Sequence, residues 1–188
     1  MSENPPPSWI ITVDEEHTHP PLQEILTVFG HALLGLLDFP NTMLSLTICD
    51  DPHIQSLNKT WRDKDQPTDV LSFPMLEHSL VTSINSNIPI DSNTPTHLTQ
   101  TIDSKTQSTD APPLILGDIV ISAQTCARQA ASFQHAYEQE AKRLFIHGFL
   151  HLCGYDHEQS EQEALHMRQR EEWCLQQLNV GTEPLTRL

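Results

Sequence analysis

Three histidines fall within eleven residues toward the end of this 188-residue chain, in the run His147-Gly148-Phe149-Leu150-His151-Leu152-Cys153-Gly154-Tyr155-Asp156-His157. The first two are four apart, so on a helix they project from one face, about one turn from each other. Gly154 tolerates a left-handed backbone, the usual way to stop a helix. The chain can turn back there and bring His157 toward the pair. Three neutral imidazoles converging on one point leave a fourth position open, which is the plan of a catalytic zinc site; a structural site is closed by four protein ligands. The chain holds 11 histidines, so the i, i+4 pair alone carries little weight. The glycine stop and the third His are what point to a metal. His147, His151 and His157 are therefore the expected ligands of one Zn2+ per chain. Imidazoles suit several late first-row metals, and zinc is the default because hydrolysis needs a Lewis acid and no redox change.

The spacing is similar to the H-x-x-x-H-x-x-G-x-x-H layout of the metzincin proteases, in which a Glu follows the first His as general base. Here that position is Gly148, which cannot take a proton. The run also resembles the H-G-x-L-H-L-x-G-Y-D-H signature of the YbeY family of bacterial endoribonucleases and rRNA maturation factors. Asn58 to Pro74 (N-K-T-W-R-D-K-D-Q-P-T-D-V-L-S-F-P) is similar to that family's N-x-x-[YW]-R-x-x-[DN]-x-P-T-D-V-L-S-F-P block, and Leu116 to Ser122 (L-G-D-I-V-I-S) to its L-G-D-I-x-I-S strand. The matches span residues 45–75 and 114–165.

The resemblance implies a single-strand-specific, metal-dependent endoribonuclease. It would act in maturation of the small-subunit (16S) rRNA 3′ end and in ribosome quality control, in the bacterial cytoplasm. The partners it implies are single-stranded RNA and the rRNA precursor, the small ribosomal subunit, a ribosomal protein and a GTPase assembly factor. It also implies a role for Arg62 in RNA binding and catalysis; a planar guanidinium binds two phosphate oxygens at once, although an arginine on a surface is ordinarily a salt-bridge partner. Catalytic roles are expected of Arg62, His147 and Asp156. Asp156 adjoins the third ligand and is either the acceptor that fixes a ligand's tautomer or a proton acceptor in place of the missing Glu. Two rivals stand beside this reading: a zinc metalloprotease, and a non-catalytic ribosome-assembly factor whose metal is structural.

The formal charge of −15 opposes a loose nucleic-acid binder, because phosphate contacts usually need a basic surface. Residues 114–157, however, set four acidic residues against three basic ones. The acidity lies mostly outside the segment with the histidines, so a local RNA site remains compatible with it. Cys49, Cys126, Cys153 and Cys174 are scattered without a C-x-x-C pair, which fits a reducing cytoplasm better than a disulfide framework. Cys153 is expected to pack as a small apolar residue. No apolar run approaches the roughly 20 residues of a membrane helix, and the Met1-Ser2-Glu3-Asn4-Pro5 start has neither signal-peptide nor transit-peptide character.

The expected fold is α+β, with a small mixed sheet of about four strands covered by helices and a zincin-like three-His site on a helix and the following turn. Strand order and direction come from the resemblance. Strands are read at Trp9–Val13, Leu44–Ile48, Thr68–Phe73 and Leu114–Ile121 from β-branched content and alternation. Helices are read from Leu22 to before Pro40, at Pro52–Trp61 with Ile54, Leu57 and Trp61 on its inner face, at Ala123–Ser132, at Tyr137–Leu152, and at Ser160–Leu178 with Leu165, Met167, Trp173 and Leu178 as its apolar set. A single domain is expected over 1–188. Residues 76–113 are polar, low in complexity and free of aromatics, which predicts a long-loop or disordered insertion, either a passive surface loop or an accessory contact surface.

Overall fold

Four short strands build one sheet, with helices on both of its faces. The computed structural model describes residues 9–13, 22–37, 39, 42–75, 113–157 and 160–181, the first of these as backbone. In chain order the elements are β1 (Trp9–Val13), α1 (Leu22–Leu36), β2 (Thr42–Cys49), α2 (Asp51–Arg62), β3 (Val70–Pro74), β4 (Leu114–Ser122), α3 (Ala123–Phe133), α4 (Tyr137–Leu152) and α5 (Glu161–Gln177). The sheet order is β1-β2-β4-β3; β1, β2 and β4 run parallel and β3 pairs antiparallel with β4. This is the mixed four-stranded α+β architecture expected from the sequence. The insertion read at 76–113 falls, except for Pro113, outside the described residues.

Leu44, Leu46 and Ile48 of β2, Ile119 and Ile121 of β4, and Val70 of β3 face the main core with α1, α4 and α5. The intervening Cys49, Val120 and Leu71 turn to the other face and meet Ile54 and Leu57 of α2. Thus α4 and α2 lie on opposite faces of the sheet, as the period of two along a strand requires. In α2, Trp61 departs from the expected inner face: it is 68% exposed and pairs edge-to-face with the Phe73 ring, 5.9 Å between centroids. Phe73 belongs to β3, an outer strand of the sheet, so the last turn of α2 has little sheet left to cover. Likewise Leu165 is 49% exposed, and the buried face of α5 is Met167, Arg170, Glu171, Cys174 and Leu175.

Helix α4 is the centre of the core. Phe145 packs edge-on against Phe29 of α1 at 6.2 Å, and Phe149 against Phe39 at 5.4 Å. Such aromatic pairs contribute about 0.5–1.5 kcal/mol each beyond the area they bury. On its sheet side α4 comes down at Gly148. A Cβ there would lie 3.0 Å from Ile119 Cγ2 and from Ser72 Oγ, and 3.2 Å from Val70 Cγ2. The Ser72 hydroxyl donates to the Gly148 carbonyl at 3.0 Å, a tie from β3 to α4 at the point of closest approach.

Two further devices hold the sheet. Between β2 and β4 the register shifts at Met43/Leu44, and Leu44 pairs with Gly117 while Met43 pairs with Ile115. Gly117 there has φ of +136°, and a Cβ would fall 2.2 Å from the Phe73 carbonyl oxygen, so the bulge admits only glycine. At the end of the β3–β4 pair, Pro74 lies opposite Gly117 and the Met75 N–H donates to Leu116 O at 3.0 Å.

Helix α2 begins as its sequence suggests, with the Asp50 carboxylate accepting from the His53 N–H at 2.9 Å. Its first residue, Asp51, ties that start to the β4–α3 junction. It accepts from Ser122 Oγ at 2.5 Å and Thr125 Oγ1 at 2.7 Å, and pairs with Arg128 Nη2 at 2.7 Å. Burial opposes ionisation of Asp51, but the Ser122 and Thr125 hydroxyls and the Arg128 guanidinium outweigh it and hold the carboxyl below its ordinary value of 3.8. A depressed folded-state pKa gives stability that is present above the unfolded value and lost as pH falls through the folded one. Asp51→Asn should therefore cost about 1–2 kcal/mol at pH 7, and urea titrations should show wild type and variant converging as pH drops below 3.8. An undiminished gap in strong acid would show that the charge plays no part. The approach at Gly148 gives a second expectation: Gly148→Glu should lose about 3 kcal/mol or more, through overpacking and burial of a charge against β3 and β4. Thermal denaturation at the wild-type midpoint would contradict that packing.

Candidate metal centre

The last two turns of α4 and the five residues after it form the site. Helix α4 stops in a Schellman arrangement: the Gly154 N–H donates to His151 O at 2.9 Å and the Tyr155 N–H to Leu150 O at 3.0 Å. Gly154 takes φ of +81°, the left-handed conformation that its lack of a Cβ makes cheap. The chain reverses and returns His157 to the two helical histidines. Ring centroids are 4.7 Å apart for His147 and His151, 5.2 Å for His147 and His157, and 5.1 Å for His151 and His157. One nitrogen from each ring lies within 4.8 Å of the others. His147 is buried, His151 half-buried and His157 exposed, so the cluster is open toward solvent on the side of the turn.

The donor set fits a zinc-class ion. Two nitrogens at about 2.0 Å from one tetrahedral ion must lie roughly 3.3 Å apart, and the Nε2 atoms of His147 and His151 are 3.1 Å apart. Burial, with the imidazoles of His147 and His157 adding to it, pushes His151 down to about 4 from 6.5. It is neutral at physiological pH, the form in which an imidazole can donate a lone pair to a metal. Asp156 acts on the same ring in the opposite sense, its carboxylate favouring the charged form of His151. That places Asp156 electrostatically beside the cluster. Three ligand nitrogens with an open side could hold an ion and leave it a free coordination position.

Arg62 is exposed in the last turn of α2. Cys153 is buried in the core and desolvation pushes its thiol far up, which makes it a packing residue and a poor ligand. The position that a metzincin fills with Glu is the point where α4 meets β3 and β4, where a Cβ would already crowd Ile119, Ser72 and Val70. One contact was not anticipated from the sequence: the Glu171 carboxylate of α5 hydrogen-bonds Nδ1 of His147. Its signal was an acidic residue at a core-facing position of α5, between Met167 and Cys174.

The sequence profile described as Endoribonuclease YbeY matches residues 10–179. An Endoribonuclease YbeY of Aquifex aeolicus is 39% identical over 146 residues, covering 78% of this chain and 77% of the relative. One from Leptospira interrogans is 40% identical over 71% of this chain and 84% of its own. One from Heliobacterium modesticaldum is 36% identical over 86% of each. The solution structure of a Thermotoga maritima protein shares the fold, with a TM-score of 0.51 at 21% identity over 96% of this chain and 100% of that one. With three imidazoles gathered at the end of α4 and relatives this similar over most of its length, the chain is a member of the YbeY family of metal-dependent endoribonucleases.

Proposed function

We propose that the chain cuts single-stranded RNA with His147, His151 and His157 as ligands of one zinc ion, that Arg62 binds the RNA phosphate, and that its substrate is the 3′ end of the small-subunit rRNA precursor. The observation that carries the reading is the gathering of the three imidazoles, one of them exposed, in a chain of this family. A zinc-class ion supplies a Lewis acid and brings the pKa of water down toward about 7. The chain itself must bind the phosphate, balance its negative charge and move protons from the attacking to the leaving oxygen. Arg62 is the proposed phosphate ligand, because a guanidinium can donate two parallel hydrogen bonds to one phosphate. Asp156 is proposed either to hold a ligand imidazole through its second N–H or to take the proton of the attacking oxygen.

The same reading extends, by family, to ribosome quality control and to the small ribosomal subunit, a ribosomal protein and a GTPase assembly factor as partners in the cytoplasm. No helix among the described residues is long and apolar enough to cross a membrane. The metalloprotease alternative loses its general base at Gly148, which has no side chain to take a proton and is packed closely on Val70, Ser72 and Ile119. The assembly-factor alternative is decided by experiment.

Metal-quantified wild type and His147→Ala are compared on a labelled single-stranded fragment of the rRNA 3′ end. Wild type should cleave it and the variant should lose both metal and cleavage. Equal cleavage by both, or none by zinc-loaded wild type, would favour the assembly factor. His151→Ala should reduce bound zinc from about one ion per chain to near none and lower the thermal midpoint, because metal binding is coupled to folding; undiminished zinc by elemental analysis would remove His151 from the ligand set. Arg62→Glu should keep zinc and midpoint and lower cleavage by about 100-fold or more. Wild-type turnover by that variant would remove Arg62 from the mechanism.

A further inference from the structure

We propose that Glu171, on α5, is the positioning residue that sets the tautomer of His147 and turns its Nε2 lone pair toward the metal. The inference rests on the reading that His147, His151 and His157 hold an ion, and it adds an element that the histidine run does not contain.

Three observations carry it. First, Glu171 lies where an apolar residue would be expected. Met167, Cys174 and Leu175 point the same way into the core, and the side chains of Glu171 and His147 are each 9% exposed. A carboxylate at such a place is costly unless it is hydrogen-bonded, and Glu171 is hydrogen-bonded to the His147 ring. Second, the bond is to Nδ1. A carboxylate only accepts, so Nδ1 must carry the hydrogen, and a neutral imidazole has one N–H. The lone pair is therefore on Nε2. Third, Nε2 is the nitrogen that faces inward, 3.1 Å from Nε2 of His151. With the opposite tautomer, an N–H would point into the space an ion must occupy.

The carboxylate also makes the imidazole a better donor by polarising its N–H, the usual effect of an acceptor behind a metal-binding histidine. The neighbouring Arg170 is engaged with the Tyr155 ring, its guanidinium carbon 5.7 Å from the ring centroid. Helix α5 thereby has a task beyond covering α4. It supplies, from 24 residues down the chain, the group that orients the most buried ligand.

The test uses the full chain, as wild type, Glu171→Leu and Glu171→Gln. The tautomer of His147 is read from imidazole 15N shifts in metal-free protein, and zinc affinity from competition with a chelator. Wild type should show hydrogen on Nδ1. Glu171→Leu should lose that fixed tautomer and bind zinc about 10- to 100-fold more weakly, with its far-UV circular dichroism unchanged. Glu171→Gln can still accept from Nδ1 through its amide oxygen and should lose less than about tenfold. A merely structural carboxylate would leave tautomer and affinity unmoved while changing the thermal midpoint. Hydrogen on Nε2 in wild type would overturn the inference without any variant, and so would zinc affinity within twofold of wild type in a folded Glu171→Leu. Wild type that binds no zinc would overturn the metal reading and this inference with it, whereas a normal wild-type affinity matched by the variant would overturn this inference alone.

Discussion

The close approach of helix α4 to β3 and β4 at Gly148 fixes almost everything about the site. With no Cβ at that position the helix backbone sits directly on Val70, Ser72 and Ile119. The Ser72 hydroxyl holds it there from the neighbouring strand. Phe145 and Phe149 then lock the helix against rotation by packing on Phe29 and Phe39. His147 and His151 are two positions out of step with those phenylalanines, about 200° round the helix. The rotation that buries two aromatic rings thus also aims two imidazoles at one point. The residue type that brings helix and sheet together is the same one that removes the protease's base. The chemistry of this site and its packing therefore share a cause.

Much of the fold could be read before the structure. The strands β1 to β4, the starts of α2 and α3 at Asp50 and Ser122, and the stop of α4 at Gly154 depend on local preferences, which a sequence displays openly. The convergence of the three histidines was legible for the same reason: a helical repeat and one left-handed glycine suffice to generate it. What the sequence hid depends on contacts between distant segments. Trp61 has the right period for an inner face, yet it reaches an outer strand and stays exposed. Gly117, inside the strand read at Leu114–Ile121, is at a bulge pressed against the Phe73 carbonyl. Asp51 gave no hint that it would gather Ser122, Thr125 and Arg128 from more than 70 positions away. Glu171 lies outside the motif, so a reading centred on the motif passes over it.

The acidic balance of the chain, −15, bears on how such a protein meets a polyanion. A broad positive surface would attract any nucleic acid, by counterion release, with little regard to shape. This chain has only 10 Lys and Arg against 25 Asp and Glu. Recognition must therefore rest on a few cationic contacts and on the geometry of an open site, while repulsion discourages RNA that lacks those contacts. For a nuclease, that arrangement favours selectivity over speed of capture.

The pairing of Pro74 with Gly117, and of Met75 with Leu116, has a consequence for the long segment between β3 and β4. Its two ends are anchored on adjacent strands, roughly 5 Å apart across the ladder. Closing a chain whose ends are already neighbours costs only about 0.6 kcal/mol more for each doubling of its length. The sheet therefore feels the anchor points far more than the number of residues strung between them. By that scaling, a change in the length of this stretch would cost the sheet little while Gly148 and the histidines stay in place. This junction is where the chain is free to acquire new sequence.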